Sequence, residues 1–181
     1  PPVCKLIVNG PLKVTPEEGI TVTEENGKTI VEATGFSAHG STPELGVNAV
    51  VKLLNAVKEN DFGGDFQQLV NFILEEIGNE TNGKSLDILY QDEETGETTV
   101  NLGVVKYDGE EMSFTLDIRY PKNGDAEVID DKVINRINSY NFDVLKKTNN
   151  KLLYVPKDSE LVSKLVKVYE AQTGDKREPS A

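Results

Sequence analysis

The only histidine of the sequence, His39, lies in a turn-rich segment between a predicted strand and a predicted helix. Loops in such positions carry function more often than packing. An imidazole can transfer protons or donate a hydrogen bond to a developing negative charge. From composition alone, a lone loop histidine is more often an ordinary surface residue, so both interpretations stay open.

A second candidate is Arg119, which projects from the polar side of a predicted strand near its end. A guanidinium group can bind a carboxylate through two parallel hydrogen bonds, so a ligand carboxylate is one possible partner. Asp117 lies on the same side of the strand, and an exposed ion pair with it is the simpler interpretation.

Other kinds of chemistry have little support in the sequence. With one histidine and one cysteine, Cys4, the chain offers only carboxylates as a group of metal ligands, and they form no complete metal-binding motif. The acidic run 92–97 lacks the alternating ligands of a calcium loop, and we interpret it as a solvated loop. Gly63 and Gly64 lie outside any phosphate-binding motif, and no serine lies in a nucleophile elbow.

The formal net charge of -12 disfavours binding to nucleic acid or to an anionic membrane surface. No apolar run approaches the roughly 18 residues that a membrane helix needs, and the first residues lack the order of a signal peptide. A single cysteine excludes an internal disulfide and suits a reducing compartment. We therefore expect a soluble, cytoplasmic protein.

The strands that would position both candidates are predicted from alternating apolar residues. Segments 20–23 and 29–33 flank Asn26-Gly27, a dipeptide typical of a tight hairpin turn. Segments 100–107 and 112–120 flank Asp108-Gly109, and we expect three adjacent antiparallel strands in that region. A short β-like run is predicted near Val144 and Leu145.

Apolar residues at helical spacing predict four amphipathic helices, over 47–57, 66–77, 129–140 and 159–173. Asp125 is a predicted N-cap of the third, and Gly174 ends the fourth. Together these elements predict an α+β fold, a mostly antiparallel sheet with helices packed on one face.

Residues 35–49 resemble the motif G-x-x-x-H-[GA]-S-x-P-E-x-G-x-N-A of zinc-dependent dipeptidases related to PepV, within the aminoacylase and carboxypeptidase G metallopeptidase family. Residues 116–121 and 154–174 agree with the same family in order and approximate spacing. Three ordered motifs are more specific than any one of them.

The resemblance implies a catalytic domain that binds two zinc ions and carries an inserted lid or dimerisation-type domain, a ferredoxin-like α/β sandwich. This chain resembles the lid over residues 1–157, without its first part, and the return into the catalytic domain over 158–181. The zinc ligands would lie in the catalytic domain, on which the lid packs, so we expect this chain alone to be inactive.

The resemblance also gives both candidate residues a role. A zinc-activated water attacks the peptide carbonyl of a dipeptide, and the lid histidine matched by His39 stabilises the charge on the carbonyl oxygen. The arginine matched by Arg119 binds the free C-terminal carboxylate of the substrate. Glu44 and Asn48 also belong to the motif, but their positions fit the start of a helix more simply.

Two alternatives stay open. The chain can belong to a deacylase or tripeptidase of the same family. It can also be a stand-alone, non-enzymatic α+β interaction module, in which the apolar faces of 112–120 and 159–173 serve association, including self-association of the chain.

Overall fold

A three-stranded antiparallel sheet forms the first part of the computed structural model, which describes residues 1–150 and 154–176. Its strands are β1 (Val3–Asn9), β2 (Ile20–Glu25) and β3 (Lys28–Thr34), in the order β1-β3-β2. The predicted hairpin joins β2 and β3, since Asn26 and Gly27 take the positive φ angles of 52° and 75° that this turn requires. Strand β1 pairs with β3 along its whole length.

Two helices follow the sheet, as predicted. Helix α1 (Ala49–Val57) packs on β1 and β3, and its apolar residues are buried. Helix α2 (Gly64–Phe72) continues into a single π-helical turn, Ile73–Ile77, so the predicted second helix changes its winding near its end.

The next strands form two separate two-stranded ladders. Strands β4 (Gln91–Asp92) and β5 (Gly96–Glu97) pair with each other, and β6 (Thr99–Tyr107) pairs with β7 (Met112–Arg119). The expectation of three adjacent strands here is wrong for the described residues. The acidic run folds back on itself instead, because the Asp92 carboxylate accepts hydrogen bonds from the backbone N–H groups of Glu94 and Thr95.

Helix α3 (Ala126–Ser139) begins at the predicted cap, where the Asp125 side chain accepts from two backbone N–H groups. Ser159 is the N-cap of helix α4 (Glu160–Thr173), and Gly174 ends this helix with a left-handed φ of 71°. The predicted β-like run is wrong: residues 143–150 contain no regular structure, and Leu145 is 88% exposed with no neighbouring strand to pair with.

The α+β class predicted from the sequence is confirmed. The core lies between the helices and the sheets, and its largest fully buried side chains include Phe72, Leu53 and Ile88. No helix among the described residues is long and apolar enough to cross a membrane.

Helix α4 differs from the other helices because none of its residues is buried. Leu161, Leu165 and Val168, which the sequence places on one apolar face, are 60%, 60% and 54% exposed. The last five residues of the predicted return segment, 177–181, lie outside the described residues.

Candidate functional site

The segment that carries the only histidine forms a closed loop between β3 and α1. Phe36 and Val47 close it, because the backbone N–H of each donates to the carbonyl of the other at 2.9 and 2.8 Å. At the end of the loop, the Asn48 oxygen caps α1 by accepting from Val50 N, and its Nδ2 donates to Leu102 O of β6 at 2.9 Å. The loop is therefore fixed to both α1 and β6.

His39 lies on the exposed side of this loop. Its Nδ1 accepts a hydrogen bond from the backbone N–H of Ser41 at 3.3 Å and lies 2.8 Å from Ser41 Oγ. Since a backbone N–H can only donate, Nδ1 carries no proton in this arrangement. In the tautomer that fits this contact, the proton of a neutral ring resides on Nε2.

Gly40, the next residue, lies against the end of the β6–β7 hairpin. Its carbonyl oxygen accepts from Thr99 Oγ1 at 3.1 Å. A Cβ at this position would lie 2.6 Å from Asp117 Oδ2 and 3.2 Å from Arg119 Nη2. The absence of a side chain therefore lets two charged groups of β7 approach the backbone beside His39.

Asp117 and Arg119 lie on the same polar face of β7, as the alternating pattern predicts. Their side chains are 51% and 48% exposed, and Arg119 Nη2 lies 3.4 Å from Asp117 Oδ2. The exposed ion pair that the sequence favours for Arg119 is present. It is one long contact, and a guanidinium has five N–H donors, so the pair does not exclude a second carboxylate partner.

The structure thus brings both candidate residues to one surface, joined through Gly40. Sequence reasoning did not include Gly40, Asp117 or Thr99 among the site residues. A local signal existed for Gly40, which directly follows the histidine in the motif. Contact between this loop and β7 depends on pairing between distant parts of the chain, which no local pattern contains.

A charged cluster lies just beyond β7. The Lys122 ammonium contacts the Glu94 carboxylate, lies 3.7 Å from Asp92 Oδ1, and sits 4.7 Å from the centroid of the Tyr154 ring. The hydrogen bond from Lys122 lowers the pKa of Glu94, and the Thr95 backbone N–H lowers the pKa of Asp92. These contacts tie the chain at Tyr154 to the turn that follows Arg119.

Across residues 1–150 and 154–176, no three or more His, Cys, Asp or Glu side chains form a group that could hold a metal ion. The two zinc ions implied by the resemblance therefore do not fit a site formed by these residues alone.

Comparison with known proteins supports a relationship to dipeptidases. The chain is 31% identical over 151 residues to a protein of Staphylococcus aureus (strain USA300) named "Putative dipeptidase", a match that covers 83% of this chain and 32% of the relative. It is 30% identical over 166 residues to "Putative dipeptidase YtjP" of Bacillus subtilis (strain 168), covering 91% and 35%. The chain spans about a third of the length of these curated relatives. No protein-family profile matches it.

Proposed function

We propose that this chain is the lid domain of a longer peptidase that hydrolyses dipeptides, with His39 and Arg119 contacting the substrate. Two relatives that match most of the chain carry the name dipeptidase. The observation that carries the site assignment is the packing of Arg119 against Gly40, the residue next to His39. In this proposal residues 1–157 are the lid and 158–181 lead back to the rest of the enzyme.

The reaction is hydrolysis of the single peptide bond of a dipeptide. The oxygen of a water molecule bonds to the carbonyl carbon, the C–N bond breaks, and a carboxylate and an amine are released. His39 Nε2–H donates to the carbonyl oxygen as that oxygen gains negative charge. A single donor of this kind stabilises the transition state by about 3 kcal/mol.

Arg119 binds the free C-terminal carboxylate of the substrate and fixes the position of the scissile bond. Such positioning lowers the entropic part of the barrier, because the reacting groups are held before the reaction begins. The guanidinium is suited to this role since it lies half-exposed at the end of β7, beside the histidine loop.

The two zinc ions implied by the motif resemblance belong, in this proposal, to residues outside the lid. The exposed apolar face of α4, formed by Leu161, Leu165 and Val168, packs on the domain that holds them. Burial of three aliphatic side chains of this size stabilises a contact by several kcal/mol, at about 25 cal/mol per Å².

The test of the proposal is His39→Ala in the full-length protein. We expect kcat for a dipeptide to fall about 100- to 1,000-fold, with the zinc content and the melting temperature unchanged. Ser37→Ala, in the same loop, is the matched control and should keep normal kcat. A near-normal kcat in His39→Ala would rule out the proposed role.

A second candidate function, association, is favoured by the same exposed face of α4. Sedimentation of the 181-residue chain with and without Leu165→Glu separates the candidates. Loss of a stable dimer in Leu165→Glu, together with full activity of His39→Ala, would favour an interaction module over a dipeptidase lid. A monomeric chain would remove the association role.

A further inference from the structure

We infer that Gly40 sets the spacing between His39 and Arg119 and thereby limits productive substrates to one residue beyond the scissile bond. This inference rests on the proposed function, and it assigns the preference for a dipeptide over a tripeptide cleaved at its first bond to one position of the chain. Gly40 acts as a positioning residue, because it works through the two side chains that contact the substrate.

The spacing follows from contacts around Gly40. A Cβ built there would lie 3.2 Å from Arg119 Nη2. Since consecutive Cα atoms are about 3.8 Å apart, the His39 Cα lies within about 9 Å of the guanidinium group. The hydrogen bond from Thr99 Oγ1 to Gly40 O holds the loop at this distance from the hairpin.

In a dipeptide, one residue separates the scissile carbonyl from the terminal carboxylate. An added residue moves that carboxylate by about 3.5 Å in an extended chain. A hydrogen bond needs a donor–acceptor distance of about 3 Å, so a shift of that size breaks the contact with Arg119 when His39 stays on the carbonyl oxygen.

Replacing Gly40 by alanine should change the spacing between His39 and Arg119 without changing the backbone of the loop. Its φ lies outside the left-handed region, so alanine can adopt the same backbone conformation. The atoms that the new Cβ would meet, Asp117 Oδ2 and Arg119 Nη2, are the ends of flexible side chains. The substitution should therefore displace these two groups while the loop backbone keeps its place.

Gly46 provides a contrast in the same loop. A Cβ at Gly46 would lie 2.9 Å from the backbone oxygen of Phe36 and 3.0 Å from Ala38 Cβ. Gly46→Ala should therefore distort the loop itself, and lower the activity on dipeptides and tripeptides by the same factor.

The experiment measures kcat/KM of the full-length protein for Ala-Ala and for Ala-Ala-Ala cleaved at its first bond. We expect Gly40→Ala to lower the dipeptide-to-tripeptide ratio about tenfold, mainly through KM for the dipeptide. Thr99→Val, which removes the hydrogen bond to Gly40 without adding atoms, should change the ratio in the same direction by a smaller factor. Gly46→Ala should leave the ratio unchanged.

The outcomes separate this inference from the proposed function. If the wild-type protein hydrolyses Ala-Ala but neither Gly40→Ala nor Thr99→Val changes the ratio, the spacing role is wrong and the lid assignment stands. If Gly40→Ala fails to fold, Thr99→Val decides alone. If the wild-type protein does not hydrolyse Ala-Ala, the proposed function fails, and the spacing role fails with it.

Discussion

The Asn48 side chain joins two elements at once: its oxygen accepts from Val50 N at the start of α1, and its nitrogen donates to Leu102 O of β6 at 2.9 Å. This amide is the fixed end of the loop that carries His39. Leu102 lies directly before the register shift of the β6–β7 ladder, where Gly103 and Val104 leave the regular pairing.

We expect Asn48→Ala to lower the free energy of unfolding by about 2 kcal/mol, because it removes a helix cap and leaves the Leu102 carbonyl without its donor. Asn48→Asp keeps the cap but replaces the donor to Leu102 O by a carboxylate oxygen, so at least about 1 kcal/mol should be lost. Urea unfolding followed by circular dichroism measures both. An unchanged stability of Asn48→Asp would show that the bond to β6 contributes nothing beyond the cap.

Arg119→Ala should raise KM for free dipeptides about 10- to 100-fold, because the charge-assisted bonds to the terminal carboxylate are lost. Arg119→Lys restores the charge without the planar fork, and should recover only part of the affinity. Steady-state kinetics on a dipeptide and on its C-terminal amide measure the difference. An equal loss on the amide would argue against a carboxylate contact.

Because Glu76 is buried, we expect the free energy of unfolding to depend strongly on its partner Arg136. Glu76 lies in the π-helical turn, is 7% exposed, and its carboxylate contacts the Arg136 guanidinium of α3 and the Tyr140 hydroxyl. Arg136→Ala would leave this carboxylate without its cation, at a cost of about 3 kcal/mol.

Glu76→Gln combined with Arg136→Ala removes the unpaired charge as well, so part of the loss in the single variant should be recovered. Thermal unfolding of the two single variants and the double variant forms the cycle that measures the coupling. Purely additive losses would show that the pair is not coupled.

Alkaline pH should destabilise the fold through Tyr140. Burial raises the pKa of this phenol, and hydrogen bonds to Glu75 and Glu76 raise it further. A pKa raised in the folded state means that the unfolded chain ionises first, at its ordinary value of about 10. The contribution of the neutral Tyr140 phenol to the free energy of unfolding is therefore complete below about pH 10, and it decreases as the pH rises above that value.

Tyr140→Phe should remove this alkaline loss and flatten the curve of unfolding free energy between about pH 9 and pH 11. The measurement is urea unfolding at a series of pH values for both proteins. Parallel curves for Tyr140→Phe and the wild type would contradict the role of this phenol.

Local patterns in the sequence predict the turns and helix ends of this fold, because the conformation of a turn or a cap is set by residues adjacent in the chain. The hairpin around Asn26-Gly27, the cap at Asp125 and the end of α4 at Gly174 are all confirmed. The prediction near Val144 fails since two adjacent β-formers need a partner strand, and none lies beside them among the described residues.

In the candidate site too, local patterns predict the position of each residue but not the contacts between them. Alternation along β7 places Arg119 on the polar face, and turn residues place His39 in a loop. The contact of both with Gly40 arises from the packing of the loop on the β6–β7 hairpin, and this packing is set by the Asn48 and Thr99 hydrogen bonds. Their roles toward a substrate stay predictions.

The Lys122–Tyr154 contact has a mechanical consequence. Lys122 lies in the turn just after Arg119, and Tyr154 begins the described segment that leads to α4. If α4 rests on a second domain, a rotation of that domain pulls on Tyr154, and the ring transmits the force to Lys122 and the end of β7. Under the proposed function, the position of Arg119 relative to a bound carboxylate would then change with the angle between the two domains.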